Sequence, residues 1–320
     1  MVATILCAFV SAVPHAGDAQ DRYPVDWPAV ATESMEYFLA LLRTDTSNPP
    51  GNETEAARYL QRILQQEGIE AELFALDPTR ANLVARLGGN GSKRPILVMA
   101  HTDVVGVQRE NWSVDPFAAV VRDGYVYGRG SLDDKDNVAA ALMLMLLLER
   151  ADVELDRDVI FLAEAGEEGT TRFGVDYMVE NHWDEIAAEY CLAEGGGAVA
   201  RAGQVQRVAI ATTEKFPMRV RLVAHGTAGH GSVPRLDNAV SALARAVGRL
   251  ADWQSPMRLN ETTRAYFDRL GDISSPEQAA RYRGLSDPVQ QPEIERYFAE
   301  YEPNHYSARS EEHTSELQSL

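Results

Sequence analysis

Four short clusters of acidic residues and histidine carry the reactive groups of this chain. They are His101-Thr102-Asp103, the pair Asp133-Asp134 inside Gly128-Arg129-Gly130-Ser131-Leu132-Asp133-Asp134-Lys135-Asp136, the pair Glu167-Glu168 inside Gly166 to Thr170, and Glu194 followed by three glycines. One imidazole and several carboxylates form a donor set suited to zinc or a similar divalent ion. Carboxylates crowded this closely repel one another and rise in pKa unless a cation offsets them. Two ions about 3.5–4 Å apart, sharing a carboxylate, form a cocatalytic hydrolase centre. A ligating His101 needs an acceptor that fixes its tautomer, and Asp103, two residues on, falls on the same side of an extended segment. Adjacent glutamates can divide the labour, one holding metal and the other taking a proton from water.

Each cluster alone has a plainer reading. His101 and Asp103 could be a structural pair. Asp133-Asp134 could be the N-cap and first turn of the helix that follows. Glu167-Glu168 could be a solvated turn, and Glu194 a surface carboxylate. What favours a single site is their order and their placement, three of the four lying directly after an apolar strand-like run.

Those runs are the elements that must position them. Pro95 to Ala100 (PILVMA) and Val159 to Ala163 read as strands buried on both faces, and Tyr190 to Ala193 as one more. Ile69 to Ala75 and Ala81 to Leu87 also read as strands, and Tyr125 to Gly128 as a short, turn-rich segment. Helical spacing covers Val30 to Leu42, stopped by Asn48-Pro49-Pro50-Gly51, and Glu53 to Glu67, ended by Gly68. Asn137 to Arg150 is a strongly apolar helix, and Gly174 to Asn181 a shorter one. Helices alternating with buried strands predict a layered α/β domain. In such sheets ligands gather outside the carboxyl ends of the strands. The texture changes near Thr212: Arg207 to Ala211 and Met218 to Ala224 alternate like half-exposed strands, and Asn238 to Trp253 reads as an amphipathic helix. These predict a second, smaller α+β unit. After Trp253 the chain is polar with weak periodicity.

The bulk composition narrows the class. The chain has 320 residues, 45% hydrophobic and 24% charged, with net charge −18. That charge argues against nucleic acid, which needs a basic surface. Only two cysteines are present, Cys7 and Cys191, so no disulfide scaffold is expected. Cys191 lies in an apolar run and reads as an inert buried thiol. Residues 1–20 carry the apolar stretch Val2 to Val13 and small residues around Gly17 to Ala19, the pattern of a signal peptide without its basic start. The expectation is a secreted or periplasmic protein, otherwise a cytoplasmic one, with no stable membrane insertion.

The texts MAHTDVV, YGRGSLDDKDNVAAAL, AEAGEEGT and LAEGGG, with His225 to Pro234 (HGTAGHGSVP) and Asn238-Ala239, resemble the M20 metallopeptidase family in family order. That family includes glutamate carboxypeptidase, carboxypeptidase S-like enzymes, aminoacylase and succinyl-diaminopimelate desuccinylase. The resemblance implies a layered α/β zinc-peptidase catalytic domain of the phosphorylase/hydrolase-like kind, with an inserted α+β lid and dimerisation domain. It places the catalytic part at 21–213 and the lid at 214–306. It further implies that His101 and Glu194 hold one zinc, that Asp133 bridges two, and that Glu168 holds the second. Glu167 becomes the general base, Asp103 orients His101, and His230 stabilises the oxyanion in a partner's site across a homodimer. Glu194 in place of aspartate tilts the reading toward carboxypeptidases and deacylases. The implied substrate is a small peptide or N-acyl amino acid. An aminopeptidase and a non-catalytic binding protein on the same fold stay open as alternatives.

Two departures from the family pattern stand out. Lys135-Asp136 replaces the usual Lys-Gly, which is expected to be harmless. A final histidine ligand for the second zinc has no counterpart, since His305 and His313 lie in polar contexts. Residues 307–320 read as a disordered or foreign tail, so a shortened form of the enzyme is expected.

Overall fold

The computed structural model describes residues 22–195, 197–209, 220–233, 236–253, 258–302 and 305. The expected signal segment, the tail at 307–320 and His313 lie outside the described residues. The chain divides into two compact units, one ending at Glu194 and the other starting at Gly195.

The first unit is built on a five-stranded mixed sheet. Its strands are β2 (Glu70–Ala75), β3 (Ala81–Leu87), β4 (Ile96–His101), β8 (Val159–Glu164) and β9 (Tyr190–Leu192), in the order β2-β3-β8-β4-β9. Strand β3 runs antiparallel to β2 and β8, whereas β4 is parallel to both β8 and β9. Two-residue strands β1 (Ser47–Asn48) and β5 (Val104–Val105) pair in parallel, and β6 (Val120–Arg122) with β7 (Tyr125–Tyr127) forms a hairpin.

Alternation along β3 and β8 explains the two helical layers. Leu83, Ala85, Phe161 and Ala163 face one side, where they pack with Leu41 of α1 (Trp27–Arg43), Leu60 and Leu64 of α2 (Glu53–Gln66), and Leu142, Met145 and Leu146 of α3 (Lys135–Arg150). Val84, Ile160 and Leu162 face the other side, against Met178 of α4 (Val175–Asn181) and Ile186 of α5 (Trp183–Ile186). Every residue of β8 is buried, which is why its run from Val159 to Ala163 is continuously apolar rather than alternating. The structure is thus the mixed α/β fold expected from the sequence.

Two expectations are corrected, and one stretch of weak periodicity proves helical. Cys191 is a free, exposed thiol, not a buried one, because β9 is the edge of the sheet and Tyr190 and Leu192 beside it are more than half exposed. The segment 220–224, expected as part of a strand, has no regular structure, and 218–219 lie outside the described residues. The polar stretch after Trp253 is helical: α7 (Glu261–Asp272), α8 (Pro276–Gly284) and α9 (Gln291–Tyr301) pack through Phe267, Leu270, Tyr282, Leu285, Ile294 and Phe298. The second unit also holds the hairpin β10 (Gly197–Arg201) and β11 (Gln204–Ala209), and α6 (Ala239–Asp252). Among the described residues no helix is long and apolar enough to cross a membrane.

Candidate metal centre

Sheet register brings the clusters together. His101 pairs with Glu164 across β4 and β8, and Val98 pairs with Leu192 across β4 and β9. The carboxyl ends of three parallel strands therefore lie side by side. His101 is delivered by β4 itself, Glu167-Glu168 by the turn after β8, and Glu194 by the exit from β9. Asp133 comes from the turn before α3.

The His101 ring is 2% exposed. Its Nε2 lies 2.9 Å from Asp133 Oδ1, 3.4 Å from Glu194 Oε2 and 3.9 Å from Glu167 Oε2. His101, Asp133 and Glu194 each offer one ligand atom, and those atoms all lie within 4.8 Å of one another. Asp133 and Glu194 are about half exposed, so the cluster opens outward from a buried imidazole. Glu168 is not in that converging trio. It feels Asp133 nonetheless: burial first, then the Asp133 charge, raises its carboxyl above the ordinary range. Burial and then Asp133 raise Glu194 in the same way. Burial pulls His101 down, but the carboxylates around it, Asp103 foremost, outweigh this and push it to about 10. Acids whose charged forms are disfavoured by burial and by one another, around an imidazole pushed toward its charged form, fit a divalent cation, which would offset that repulsion and take the place of the imidazole proton.

Asp103 is fully buried. The Nδ1 of His101 is 3.1 Å from the Asp103 carbonyl oxygen and 3.5 Å from its Oδ1. The carboxylate does more than face that ring. It accepts the backbone N–H of Glu167 (3.0 Å) and of Glu168 (3.1 Å), and the side-chain amide of Asn48 (2.8 Å). Burial raises its pKa, and those bonds, led by His101, bring it below the ordinary value.

Sequence reasoning missed several supports. Asp134 stands at the N-cap position of α3 but makes no capping bond; its carboxylate accepts the His101 backbone N–H at 3.1 Å and the Asn137 amide. Lys135 is fully buried and donates to the carbonyls of Leu41 (3.1 Å) and Thr44 (2.7 Å) at the end of α1. Burial lowers its pKa to about 8. Glu164 is buried and pushed by desolvation to about 7. Arg80 and Glu53 form a buried pair, and the Arg80 guanidinium lies 4.6 Å over the Phe173 ring. The one available signal was local: charged residues sitting inside otherwise apolar or turn-forming stretches. His230, in the second unit, is exposed, with Nδ1 2.7 Å from Ser232 Oγ. His225 is also exposed.

Residues 97–316 match the profile of peptidase family M20/M25/M40. The human N-fatty-acyl-amino acid synthase/hydrolase PM20D1 is 36% identical over 175 residues, covering 53% of this chain and 34% of that protein. A probable succinyl-diaminopimelate desuccinylase of Staphylococcus aureus is 28% identical over 233 residues, covering 72% of this chain and 54% of that protein. Among solved structures, an M20 family metallo-carboxypeptidase of Sulfolobus solfataricus aligns over 52% of this chain and 38% of its own, with 26% identity and a TM-score of 0.46. The chain thus spans between a third and about half of the length of these relatives.

Proposed function

The chain belongs to peptidase family M20/M25/M40, and from its acidic site we propose that it comes from a zinc-dependent hydrolase cleaving a peptide or N-acyl amide bond next to a free carboxylate. The observation that carries this is the convergence of His101, Asp133 and Glu194, with the Glu167 carboxylate at the rim.

His101, Asp133 and Glu194 would hold a first zinc, and Glu168 with Asp133 would contribute to a second. A divalent ion there would polarise the scissile carbonyl and make water nucleophilic at neutral pH. The chain's own residues do the rest. Glu167 is half exposed and its backbone is pinned to Asp103, so its carboxylate is held at the opening where water and substrate meet. It takes the proton from the attacking water and returns it to the leaving amine. Asp103 fixes the His101 ring from behind. Residues 214–306 serve as the lid and dimerisation segment, through which His230 would reach a partner's site and stabilise the oxyanion. The relatives' names favour N-acyl amino acids within this class. Export guided by residues 1–20 completes the reading.

The test is elemental analysis of the protein equilibrated with zinc, with hydrolysis assays on N-acyl amino acids and dipeptides using a form extended to the relatives' length. The expected result is bound zinc, and hydrolysis that Glu167→Gln removes while metal stays bound. Retained hydrolysis in Glu167→Gln would overturn the base assignment, and absence of bound zinc would overturn the centre.

A further inference from the structure

The segment before α2 is a tight turn carrying no acid or histidine of the site, yet it touches the two loops that do. Thr46 Oγ1 donates to the Thr102 carbonyl at 2.7 Å, and the Val104 N–H donates to the Thr46 carbonyl at 3.2 Å. Strand β1 then lies along β5, with Asn48 opposite Val105. This registry places the Asn48 side chain, 8% exposed, between the His101-Asp103 loop and the Glu167-Glu168 turn. Its amide nitrogen donates to Asp103 Oδ2; only that end of an amide can face a carboxylate. The other side of Asn48 meets Gly169, where a Cβ would stand 2.6 Å from the amide nitrogen and 2.8 Å from its carbon and oxygen.

The Asp103 oxygens divide their partners. Oδ1 accepts from Glu167 N and faces His101 Nδ1, and Oδ2 accepts from Glu168 N and Asn48. Without Asn48, Oδ2 keeps one donor, which comes from the same turn as the Oδ1 donor. The carboxylate can then pivot with that turn instead of being fixed against β1. We propose that Asn48 is a positioning residue of the metal centre, its amide locking Asp103 in the one orientation that serves the His101 ring and the Glu167-Glu168 turn together. This rests on the metal-centre reading above.

Cobalt(II) tests it, since its visible absorption reports ligand geometry as well as occupancy. Binding to the full chain is followed by that absorption and by competition with a chelator, and the metal-free melting temperature is measured alongside. Asn48→Ala is expected to weaken cobalt binding at least tenfold, the range seen when partners behind metal ligands are removed, and to change the band shape of the bound form. Gly169→Ala, which pushes Asn48 aside, is expected to do the same. In the Asn48→Ala background, Gly169→Ala should cost little more, because its effect runs through the amide. Unchanged affinity and spectrum in Asn48→Ala, or full additivity of the two changes, would overturn the inference. A lower melting temperature with an unchanged spectrum would also overturn it, showing packing alone. If the unmodified chain binds no cobalt, the metal-centre reading itself falls.

Discussion

Replacing Arg80 with methionine should cost the first unit far more than a typical surface charge would. The Arg80 and Glu53 side chains are 5% and 0% exposed. Arg80 Nε lies 2.9 and 3.1 Å from the two Glu53 oxygens, and Nη2 also donates to the carboxylate. Methionine fills most of the arginine stem's volume but leaves Glu53 buried without its partner. Breaking such a pair costs about 3–5 kcal/mol, and the lost contact with Phe173 contributes toward the upper end. A working value of about 4 kcal/mol corresponds to nearly three decades in an equilibrium constant. The assay is hydrogen exchange of the β3 and β8 amides, which open only when the core of this unit opens. Their protection should fall by about 10³-fold in Arg80→Met. Pairing it with Glu53→Gln removes the orphaned charge, so the double variant should recover at least half of the loss. The Arg80 guanidinium also lies against Gly166 and Phe173, which bracket the Glu167-Glu168 turn. Metal affinity should therefore weaken in the single variant. A fall in protection below about tenfold, or a double variant no better than Arg80→Met, would refute the assignment of this pair as a buried brace.

Three further outcomes follow from other parts of the molecule. Asp133→Asn removes the carboxylate nearest His101 Nε2 and should lower zinc affinity at least 100-fold, read by chelator competition, with near-wild-type affinity telling against Asp133 as a ligand. Arg150 joins Glu33 of α1 to Glu67 at the end of α2 with four contacts of 2.7–2.9 Å. Its hydrogen bonds hold Glu33 down to about 2 from 4.5, so this stabilisation is present above pH 4.5 and fades as pH falls toward 2; after allowance for solvent screening, Arg150→Met should cost about 1–2 kcal/mol at pH 7 and little at pH 2 in thermal melts, and a loss that persists at pH 2 would contradict it. Phe267, 2% exposed at the centre of the helices after Trp253, should cost about 3–5 kcal/mol when replaced by alanine, an exposed-residue-sized loss in chemical denaturation arguing that those helices share no core.

The parts of this site that could be read from sequence are those that a strand delivers. His101 closes an apolar run, Glu167-Glu168 follow another, and Glu194 follows a third, so the rule that ligands collect at strand ends was enough to group them. What the sequence hid are residues whose role depends on contacts distant along the chain. Asn48 lies in Asn-Pro-Pro-Gly, where turn chemistry explains it fully until β1 is seen pairing with β5. Asp134 looks like a helix cap because it stands where a cap stands, but its carboxylate is drawn away by the His101 backbone, 33 positions earlier. Helices α7, α8 and α9 are 12, 9 and 11 residues long, and each presents only a narrow apolar stripe. Their start signals were nevertheless present: Asn260 and Ser275 both accept backbone bonds as N-caps.

So many buried polar groups surround one histidine for a physical reason. An isolated cluster of acids at a strand edge destabilises the fold, since burial and mutual repulsion hold Glu168 and Glu194 above their ordinary values. The surrounding structure supplies fixed donors behind the ring: two backbone N–H groups and one amide orient Asp103, and one N–H and one amide orient Asp134, whose carboxyl burial nonetheless raises. Asp133, Glu194 and Glu167 instead place carboxylate oxygens 2.9, 3.4 and 3.9 Å from the His101 Nε2 atom. Donors are thus concentrated behind the imidazole and acceptors in front of it. That is the polarity a cation site requires, and a set of acids gathered only to solvate the surface would not need His101 to be buried at its base.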